Sequence, residues 1–347
     1  MDRVLEMGGH AAGFCGRLFA QSGYDVVRVE SEATVPAWAS QTAMDLYLHA
    51  GKRRVRTDDA GLIGELASRA EIVVAEGATA DAVATLDFDA WPTPVKVAIT
   101  PFGLTGPKRN WHATPHVLLA MGGYTNLMGD SDRAPLSLPG HYVEFQSGTF
   151  AFTAANACRL AKERNTIDIG MLEVVMALSQ FTTVMWHCGG VVRSRHGSDF
   201  WSVVPSNLFR CADGWVYTNI VPSFWDSFTV FLDRPELAVD ERFANNEKRM
   251  LNRTALHDLI NGVLASRSKA EIDERANECR IPLGVVQTFE DVLGDPHLAE
   301  RAIWQNLVHG ETVVRSPPPG WHIHGETRPA LALSNPEPLA EERPADG

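Results

Sequence analysis

The opening of the chain constrains the fold most, because it contains one complete strand–helix–strand unit. "RVLEM" is a short apolar run, "GGHAAGFCGRLFAQSG" is a glycine-rich turn leading into a helix with an apolar face, and "YDVVRVE" is a second apolar run. Two strands joined by a crossover helix lie parallel in one sheet. The opening therefore predicts an α/β fold.

The same alternation continues through the first half of the chain. "GLIGELASRA" and "EIVVAE" predict a further helix and strand, "VKVAIT" predicts a buried strand, and "ATPHVLLAM" predicts a helix that ends at Gly122 and Gly123. "NTIDIG" predicts a strand that leads into one long apolar helix ending at Gly189 and Gly190. Together these elements indicate a Rossmann-like parallel sheet with helices on both faces.

A second, smaller domain is expected in the second half. "LFRCADGWVYTNI" predicts a hairpin around Asp213 and Gly214. Amphipathic helices follow in "FWDSFTVFL", "RTALHDLINGVLAS" and "KAEIDERANECR". Because 347 residues exceed what one core usually serves, we expect a large Rossmann-like domain formed by residues 1–205 and 306–347. A small α+β domain is expected at residues 206–305.

Charge and cysteine content exclude several classes of function. The formal net charge of -12 repels phosphate backbones, so nucleic acid is not an expected partner. The five cysteines are scattered and form no CxxC pair, which favours free thiols in a reducing compartment. No apolar run reaches the about 18 residues of a membrane span, and the first residues do not resemble a secretory signal. The expected location is the cytoplasm, with no membrane partner.

The first turn resembles a dinucleotide-binding fingerprint in part. Gly8, His10 and Gly13 occupy the GxGxxG positions, but the histidine would fill the space through which backbone approaches a pyrophosphate. NAD is therefore not expected. The turn is either a tight strand–helix connection or a site where the backbone amides of His10 and Ala11 face a ligand. No cysteine or histidine pairs at metal spacing occur, so no metal is expected.

One acidic residue, Glu144, lies just before the small-residue run "SGTFAFTAANA". If a helix begins near Ser147, its free amides and its dipole favour an anion there. A carboxylate in that position stays ionised, as a nucleophile must. The alternative is an acid that only caps the helix. His141, three residues earlier, either orients Glu144 or the substrate or has only a surface role.

Seven segments along the chain form a recognisable series, among them "RVLEMGGHAAGFCGRLFAQSGYDVVRVE", "TPFGLTGPKRNWHATPHVLLAMGGYTNLMG" and "CRIPLGVVQTFEDVLGDPHLAERAIW". In this order they resemble the class III CoA-transferases, the family of formyl-CoA, carnitine and bile-acid CoA-transferases and methylacyl-CoA racemases. The resemblance covers nearly the whole chain. It implies a large Rossmann-like domain, a small domain, and a homodimer of two interlocked ring-shaped chains.

The resemblance also implies a reaction. The family's nucleophile is an Asp just before a small-residue helix, and in this sequence "EFQSG" puts Glu144 at that position. The implied activity moves CoA from an acyl-CoA to an acceptor carboxylate through an acyl–enzyme anhydride and an enzyme–CoA thioester. Coenzyme A and its thioesters are then substrates, and carboxylic acids are partners. The expected catalytic residues are Glu144 and His141, and the expected CoA contacts are His10, Ala11, Lys52, Arg53, Phe102 and Gly103.

Departures from the family keep alternatives open. The segment after the second strand, "RVESEATVP", has no Arg to meet CoA phosphate, and "AEGATADAV" replaces a Glu-Asn-Phe segment. The basic cluster Lys52, Arg53, Arg54 and Arg56 is either a solvated turn or an anion site. The chain could instead be a degenerate, non-catalytic subunit paired with a paralogue. Racemisation is a weaker alternative, since it needs a base on each face of the α-carbon and the candidate histidines, His112 and His116, are shifted from the family's position.

Overall fold

The computed structural model describes residues 3–32, 42–200, 202–318, 320–321 and 329–338. The chain forms two compact units. Unit 1 comprises Met1–Asn126, Ser137–Val192 and Ala299–Gly347, and unit 2 comprises Leu127–Leu136 and Arg193–Leu298. The small domain expected at 206–305 overlaps unit 2. Residues 33–36, part of the segment expected to lack a phosphate-binding Arg, lie outside the described residues.

Within the described residues, the main sheet of unit 1 has seven strands, all parallel. They are β1 (Arg3–Met7), β2 (Asp25–Glu30), β3 (Arg53–Arg56), β4 (Ile72–Glu76), β5 (Val95–Thr100), β6 (Asn165–Gly170) and β13 (Glu337–Pro338). Their order is β13-β3-β2-β1-β4-β5-β6. The register sets Val4 of β1 between Val26 and Ile72. The predicted Rossmann-like sheet is confirmed, and its strand order reverses between β1 and β4, where such sheets bind ligands.

Helices and a small second sheet complete unit 1. The sheet comprises β10 (Gln305–His309), β11 (Thr312–Ser316) and β12 (Leu331–Ala332) in the order β11-β10-β12. Asp59 caps α3 (Ala60–Ser68) by accepting hydrogen bonds from the amides of Gly61 and Leu62. The helices are α1 (His10–Gln21), α2 (Thr42–His49), α3 (Ala60–Ser68), α4 (Ala80–Ala84), α5 (Pro115–Met121), α6 (Tyr142–Ala161), α7 (Met171–Leu178) and α8 (Gln180–Gly189).

Apolar cores lie on both faces of the main sheet. On one face, Val4 and Val74 pack with Ala151 of α6. On the other face, Leu5 and Val73 pack with Ala67 of α3. Adjacent residues of one strand point to opposite faces, so strands with apolar residues on both faces require a helical layer on each side. The prediction of helices on both faces is confirmed.

The long helix predicted after β6 is interrupted. α7 ends at Leu178 and α8 begins at Gln180, with Ser179 between them at φ -100° and ψ 13°. The hydroxyl of Ser179 donates to the carbonyl of Met176 at 3.0 Å. A serine side chain that bonds to local backbone competes with the helix ladder, which gives a physical reason for the break. The apolar pattern alone carried no sign of it.

The basic cluster enters and forms strand β3, in which buried and exposed cations alternate: Lys52 and Arg54 are buried, whereas Arg53 and Arg56 are exposed. Lys52 and Arg54 are 3% and 8% exposed. The ammonium of Lys52 contacts the Glu6 carboxylate and donates to the carbonyl of Gly13 at 2.7 Å. Arg54 lies 2.7 Å from Glu30. Charges buried to this degree are stable only when paired and hydrogen-bonded, so the sequence-distant acids explain why these cations lie inside.

Unit 2 is a small α+β unit. Its antiparallel sheet contains β7 (Leu208–Cys211), β8 (Gly214–Thr218) and β9 (Leu283–Val285) in the order β7-β8-β9. The predicted hairpin is therefore present as β7–β8. No described helix of the chain is both long and apolar enough to cross a membrane. The helices of this part of the chain are α9 (Trp225–Phe231), α10 (Asn246–Leu251), α11 (Arg253–Leu264), α12 (Lys269–Cys279), α13 (Phe289–Gly294) and α14 (Pro296–Glu300).

Candidate active site

The turn between β1 and α1 lies against the end of β4. Gly8 has φ +117°, and a Cβ on it would stand 2.6 Å from the carbonyl oxygen of Glu76. Only glycine satisfies both the backbone conformation and the close approach. α1 then begins at His10, and the amide of Ala12 donates to Glu76 Oε2 at 2.8 Å. This turn therefore sets the first residues of α1 beside Glu76 at the carboxyl edge of the sheet.

α6 brings Glu144 to the same place, although it begins earlier than expected. The sequence analysis put the helix start near Ser147, whereas α6 begins at Tyr142 after Gly140, which has φ +74°. The amides of Ser147 and Gly148 thus lie within the helix ladder and cannot stabilise an external anion. Glu144 is instead in the first turn, where the unpaired amides and the helix dipole favour its negative charge.

Two histidines flank the Glu144 carboxylate. His141 Nδ1 lies 3.1 Å from Glu144 Oε1, and His10 Nδ1 lies 3.8 Å from the same oxygen. The two imidazole rings lie 4.2 Å apart, centroid to centroid. The side chains of His10 and His141 are 20% and 32% exposed, against 10% for Glu144. The carboxylate is thus enclosed but reachable from the surface beside the rings.

The environment of Glu144 favours its ionised form. Burial by itself raises the pKa of a carboxyl, but the interactions with His10 and His141 and with the helix backbone outweigh it. The pKa of Glu144 is therefore lowered from its ordinary value of 4.5. Its second oxygen, Oε2, is buried and has no hydrogen-bond partner within the described part of the chain. An ionised carboxylate with one unengaged oxygen can attack an electrophile.

Glu76 is a second carboxyl of this site, and the sequence analysis missed it. Burial raises its pKa above the ordinary 4.5, and the negative charge of Glu144 raises it further, against the opposing effects of the Ala12 amide and His10. A signal was available: Glu76 is the last residue of β4, one of the two strands at which the strand order reverses. The two acids of this site therefore have opposite pKa shifts.

A cavity of about 270 Å³ opens beside Glu76. It lies at the carboxyl ends of β1, β4 and β5 and reaches α5 and the start of α7. Apart from Glu76, its lining is apolar side chains and glycine backbone. The lining includes Gly9, Glu76, Pro101, Ala113, Leu118 and Met171.

Phe102 and Gly103 follow β5 directly, next to the cavity-lining Pro101. Phe102 is half-buried and packs edge-on against Trp111, with ring centroids 6.3 Å apart. Gly103 is buried, has φ +81° and lies against the carboxylate of Asp168. Both residues are thus at the carboxyl edge of the sheet, the same edge as His10 and Ala11. Their expected contact with CoA remains a prediction.

Lys52 and Arg53 are placed differently. The Lys52 ammonium is buried between Glu6 and the Gly13 carbonyl, and burial lowers its pKa to about 8 despite the favourable charge of Glu6. Arg53 begins β3 and pairs with Asp25 at the start of β2, 2.7 Å away. The first residues of the parallel strands lie at the amino edge of the sheet. His10 lies at the opposite, carboxyl edge. These positions do not support the expected contact of either residue with CoA.

The three site residues could also hold a cation. Among the residues that the structure describes, His10, His141 and Glu144 are the group whose nitrogen and oxygen donors all lie within 4.8 Å of one another. Imidazole nitrogens and a carboxylate are ligands that Zn²⁺ accepts. Without a metal ion, the same three side chains form a carboxylate flanked by two imidazole rings.

The comparisons with known proteins agree with this fold. The sequence profile of the family described as CoA-transferase family III matches residues 2–342. The chain belongs to this family. Two curated relatives and one solved structure show how far the likeness within CoA-transferase family III extends.

The chain is 26% identical over 328 residues to succinyl-CoA–D-citramalate CoA-transferase of Chloroflexus aurantiacus, covering 86% of this chain and 81% of the relative. It is 25% identical to the alpha subunit of succinyl-CoA–L-malate CoA-transferase of the same organism, covering 60% of this chain and 51% of the relative. A crystal structure of a CAIB/BAIF family protein from Brucella suis has a TM-score of 0.80 at 21% identity. That alignment covers 97% of this chain and 94% of the other.

Proposed function

We propose that this protein is a CoA-transferase that moves CoA from an acyl-CoA to an acceptor carboxylate, with Glu144 as the nucleophile. The observation that carries the proposal is the Glu144 carboxylate itself. It lies in the first turn of α6, flanked by His10 and His141, with a lowered pKa and one unengaged oxygen. A nucleophilic carboxylate must be ionised, and in this proposal the substrate reaches Glu144 from the side of the partly exposed imidazole rings.

The proposed chemistry proceeds in balanced steps. The ionised Glu144 attacks the thioester carbonyl, forming a mixed anhydride and releasing CoA thiolate. The thiolate attacks the glutamyl carbonyl, which forms an enzyme–CoA thioester and releases the donor's carboxylate. The acceptor carboxylate attacks the glutamyl carbonyl of that thioester, which gives a new anhydride and releases CoA thiolate. The thiolate then attacks the acceptor's acyl carbonyl and releases the Glu144 carboxylate. The products are the new acyl-CoA and free Glu144, and no net proton is exchanged.

The residues around Glu144 have distinct roles in this proposal. His141, which lies within hydrogen-bonding distance of Oε1, keeps the carboxylate oriented. His10 and the backbone at Ala11 meet the thioester end of CoA, and Phe102 and Gly103 line its path. Lys52 and Arg53 are omitted from this binding surface because of their positions. The five free cysteines support the expected cytoplasmic location.

Trapping the intermediate tests the proposal. The protein is incubated with acyl-CoA, treated with hydroxylamine, and digested for mass spectrometry. A hydroxamate is expected on Glu144, and Glu144→Gln should abolish both the adduct and transfer. Glu173→Gln is a matched control, because Glu173 is also in the first turn of its helix. An adduct on a different residue, or undiminished transfer by Glu144→Gln, would refute the nucleophile.

The proposal also includes the oligomeric state of the protein. We expect a homodimer, in the interlocked form that the family resemblance implies. Exposed apolar side chains on α8, including Phe181 and Trp186 at 56% and 55%, support an interface there, because such patches mark contact surfaces. Sedimentation of the purified protein measures the oligomeric state.

A second candidate is a non-catalytic subunit paired with a paralogue. The positions of Lys52 and Arg53 favour it, because they leave few cations to meet the phosphates of CoA. Purified protein that turns over acyl-CoA without another chain would reject this alternative. Inactivity that is relieved by a co-purifying paralogue would support it.

A further inference from the structure

Asp168 is an acidic residue between two isoleucines of β6, Ile167 and Ile169. β6 pairs with β5, and Asp168 lies opposite Ala98. Aspartate is disfavoured in strands, partly because its side chain can bond to backbone outside the ladder. Here its Oδ2 accepts a hydrogen bond from the amide of Leu104 at 2.9 Å. This bond fastens β6 to the chain that follows β5.

Residues 101–111 form the loop that follows β5 (the β5 loop). Gly103 in its first turn has φ +81°, and a Cβ there would lie 3.4 Å from Asp168 Oδ2. At this backbone conformation a glycine is favoured. The amide of Leu172 donates to the carbonyl of Pro101 at 3.1 Å. β6 and the start of α7 therefore hold the first turn of the β5 loop.

The far end of the β5 loop is held by α4. The carbonyl of Arg109 accepts a hydrogen bond from the amide of Ala80 at 3.0 Å. Asn110 and Asp81 form a reciprocal pair: Asn110 Oδ1 accepts from the Asp81 amide at 3.2 Å, and Asn110 Nδ2 donates to Asp81 Oδ2 at 2.7 Å. The loop thus satisfies two of the first amides of α4. Residues 105–107, between the two attachments, are exposed.

We propose that Asp168, together with the pair of Asp81 and Asn110, positions the β5 loop for CoA binding. The inference rests on the proposed function, in which Phe102 and Gly103 of this loop line the path of CoA, and it adds residues that act through the loop. A segment that is already held in its bound conformation loses less freedom when a ligand binds, so the affinity is higher. Asp168 is therefore a positioning residue and not a catalytic one.

Replacing Asp168 should separate binding from chemistry. Asp168 is exposed, so its replacement leaves the core intact. In Asp168→Ala the Leu104 amide loses its acceptor, and we expect the Kd for CoA and the KM for acyl-CoA to rise at least fivefold. The residues that flank Glu144, His10 and His141, are on other parts of the chain, so kcat should stay within twofold. Asp168→Asn keeps an oxygen acceptor and should restore both constants to within twofold of the wild-type values.

Calorimetry with CoA itself measures Kd, and a panel of acyl-CoA donors and carboxylate acceptors measures transfer. Asp89→Ala is the matched control, because Asp89 is an exposed aspartate in the segment before β5. It should change neither constant. If Asp168→Ala does not fold, Asp81→Ala and Asn110→Ala test the other end of the loop. Each should raise Kd, and because the two residues act as a pair, the double variant should raise it no further.

The outcomes separate this inference from the proposed function. Unchanged Kd and KM in these variants, or a lowered kcat with both constants unchanged, overturn the inference and leave the CoA-transferase activity standing. Equal losses in Asp168→Ala and Asp168→Asn also overturn it, because asparagine keeps the acceptor. CoA binding that depends on Asp168, in a wild-type protein that transfers from no donor, supports the inference and overturns the proposed function. A wild-type protein that does not bind CoA overturns both.

Discussion

Gly148 of α6 lies directly against Ala11 of α1: a Cβ at position 148 would stand 2.6 Å from the Ala11 carbonyl oxygen and 3.0 Å from the Cys15 amide nitrogen. The two helices can approach this closely only because residue 148 has no side chain. Glu144 is one turn before Gly148, and His10 directly precedes Ala11. The same crossing therefore fixes the carboxylate beside the histidine.

Replacing Gly148 should loosen this crossing. We expect Gly148→Ala to destabilise the protein by about 1–3 kcal/mol, because the added methyl meets rigid backbone. Urea unfolding measures the change. Gly262→Ala is the matched control: Gly262 lies within α11 with no neighbour within 4 Å of an added Cβ. Helix propensity predicts a gain of about 0.5–1 kcal/mol there. Equal effects of the two substitutions would contradict the close contact.

The length of the Glu144 side chain should matter. Glu144→Asp withdraws the carboxylate by one methylene from His141, which lies 3.1 Å away. A displacement of about 1 Å from the reactive geometry can cost about 100-fold in rate, so we expect kcat to fall by that order. Stopped-flow measurement of CoA release gives the rate. An aspartate variant as fast as the wild-type protein would show that the site is not adapted to glutamate.

The acid limb of the pH profile should depend on His141. Transfer requires ionised Glu144, so kcat/KM decreases as the pH falls through the pKa of that carboxyl. Because His141 helps to lower this pKa, His141→Ala should raise it and move the acid limb to higher pH. His297→Ala, at an exposed histidine of α14, should leave the limb unchanged. A limb that stays in place or moves to lower pH in His141→Ala would contradict this role.

Zinc should inhibit the protein. His10, His141 and Glu144 can approach the tetrahedral ligand set of Zn²⁺, and a bound ion would occupy the nucleophilic oxygen. We expect inhibition by added Zn²⁺ that EDTA reverses, with at least tenfold weaker inhibition in His10→Ala. Titrations of transfer rate against free Zn²⁺ measure both effects. Loss of activity on treatment with EDTA alone would instead indicate that the metal is required.

The buried pair of Lys52 and Glu6 should respond very differently to single and double substitution. Lys52→Met leaves the Glu6 carboxylate buried with one partner fewer, and such a change typically costs about 3–5 kcal/mol. In the double variant Glu6→Gln/Lys52→Met, the second substitution should recover part of that loss. Unfolding midpoints in urea give the coupling. Additive effects would indicate that the pair contributes little to stability.

The sequence predicted the strands well because their apolar runs carry a local signal. β1, β4 and β5 are mostly apolar, and each is followed directly by glycine or proline, so their type could be read without tertiary information. Their parallel arrangement followed from the intervening helices. Glu144 was also identified from local cues, its position before a small-residue helix and its match to the family's nucleophile.

Features that depend on distant partners could not be predicted. Lys52 looked like a surface cation because its partner, Glu6, is 46 residues away in sequence. Glu76 is held in the site by a hydrogen bond from the Ala12 amide, which is 64 residues away in sequence. The early start of α6 depends on the conformation of Gly140, and neither residue type nor spacing reveals a positive φ.

The pairing of strands from both ends of the chain in the main sheet has a consequence for biosynthesis. β13 pairs with β3, joining Glu337 to Val55, and the hydroxyl of Ser334 donates to the carbonyl of Lys52 at 3.0 Å. The strand made third thus keeps an open edge while nearly three hundred further residues are translated. An unpaired edge invites association with other chains. Unit 2 can fold during this interval. The two sheets of unit 1, in contrast, are complete only when residues 305–338 emerge from the ribosome. In newly made chains this edge of β3 is therefore open to mispairing until residues 337–338 are available to cover it.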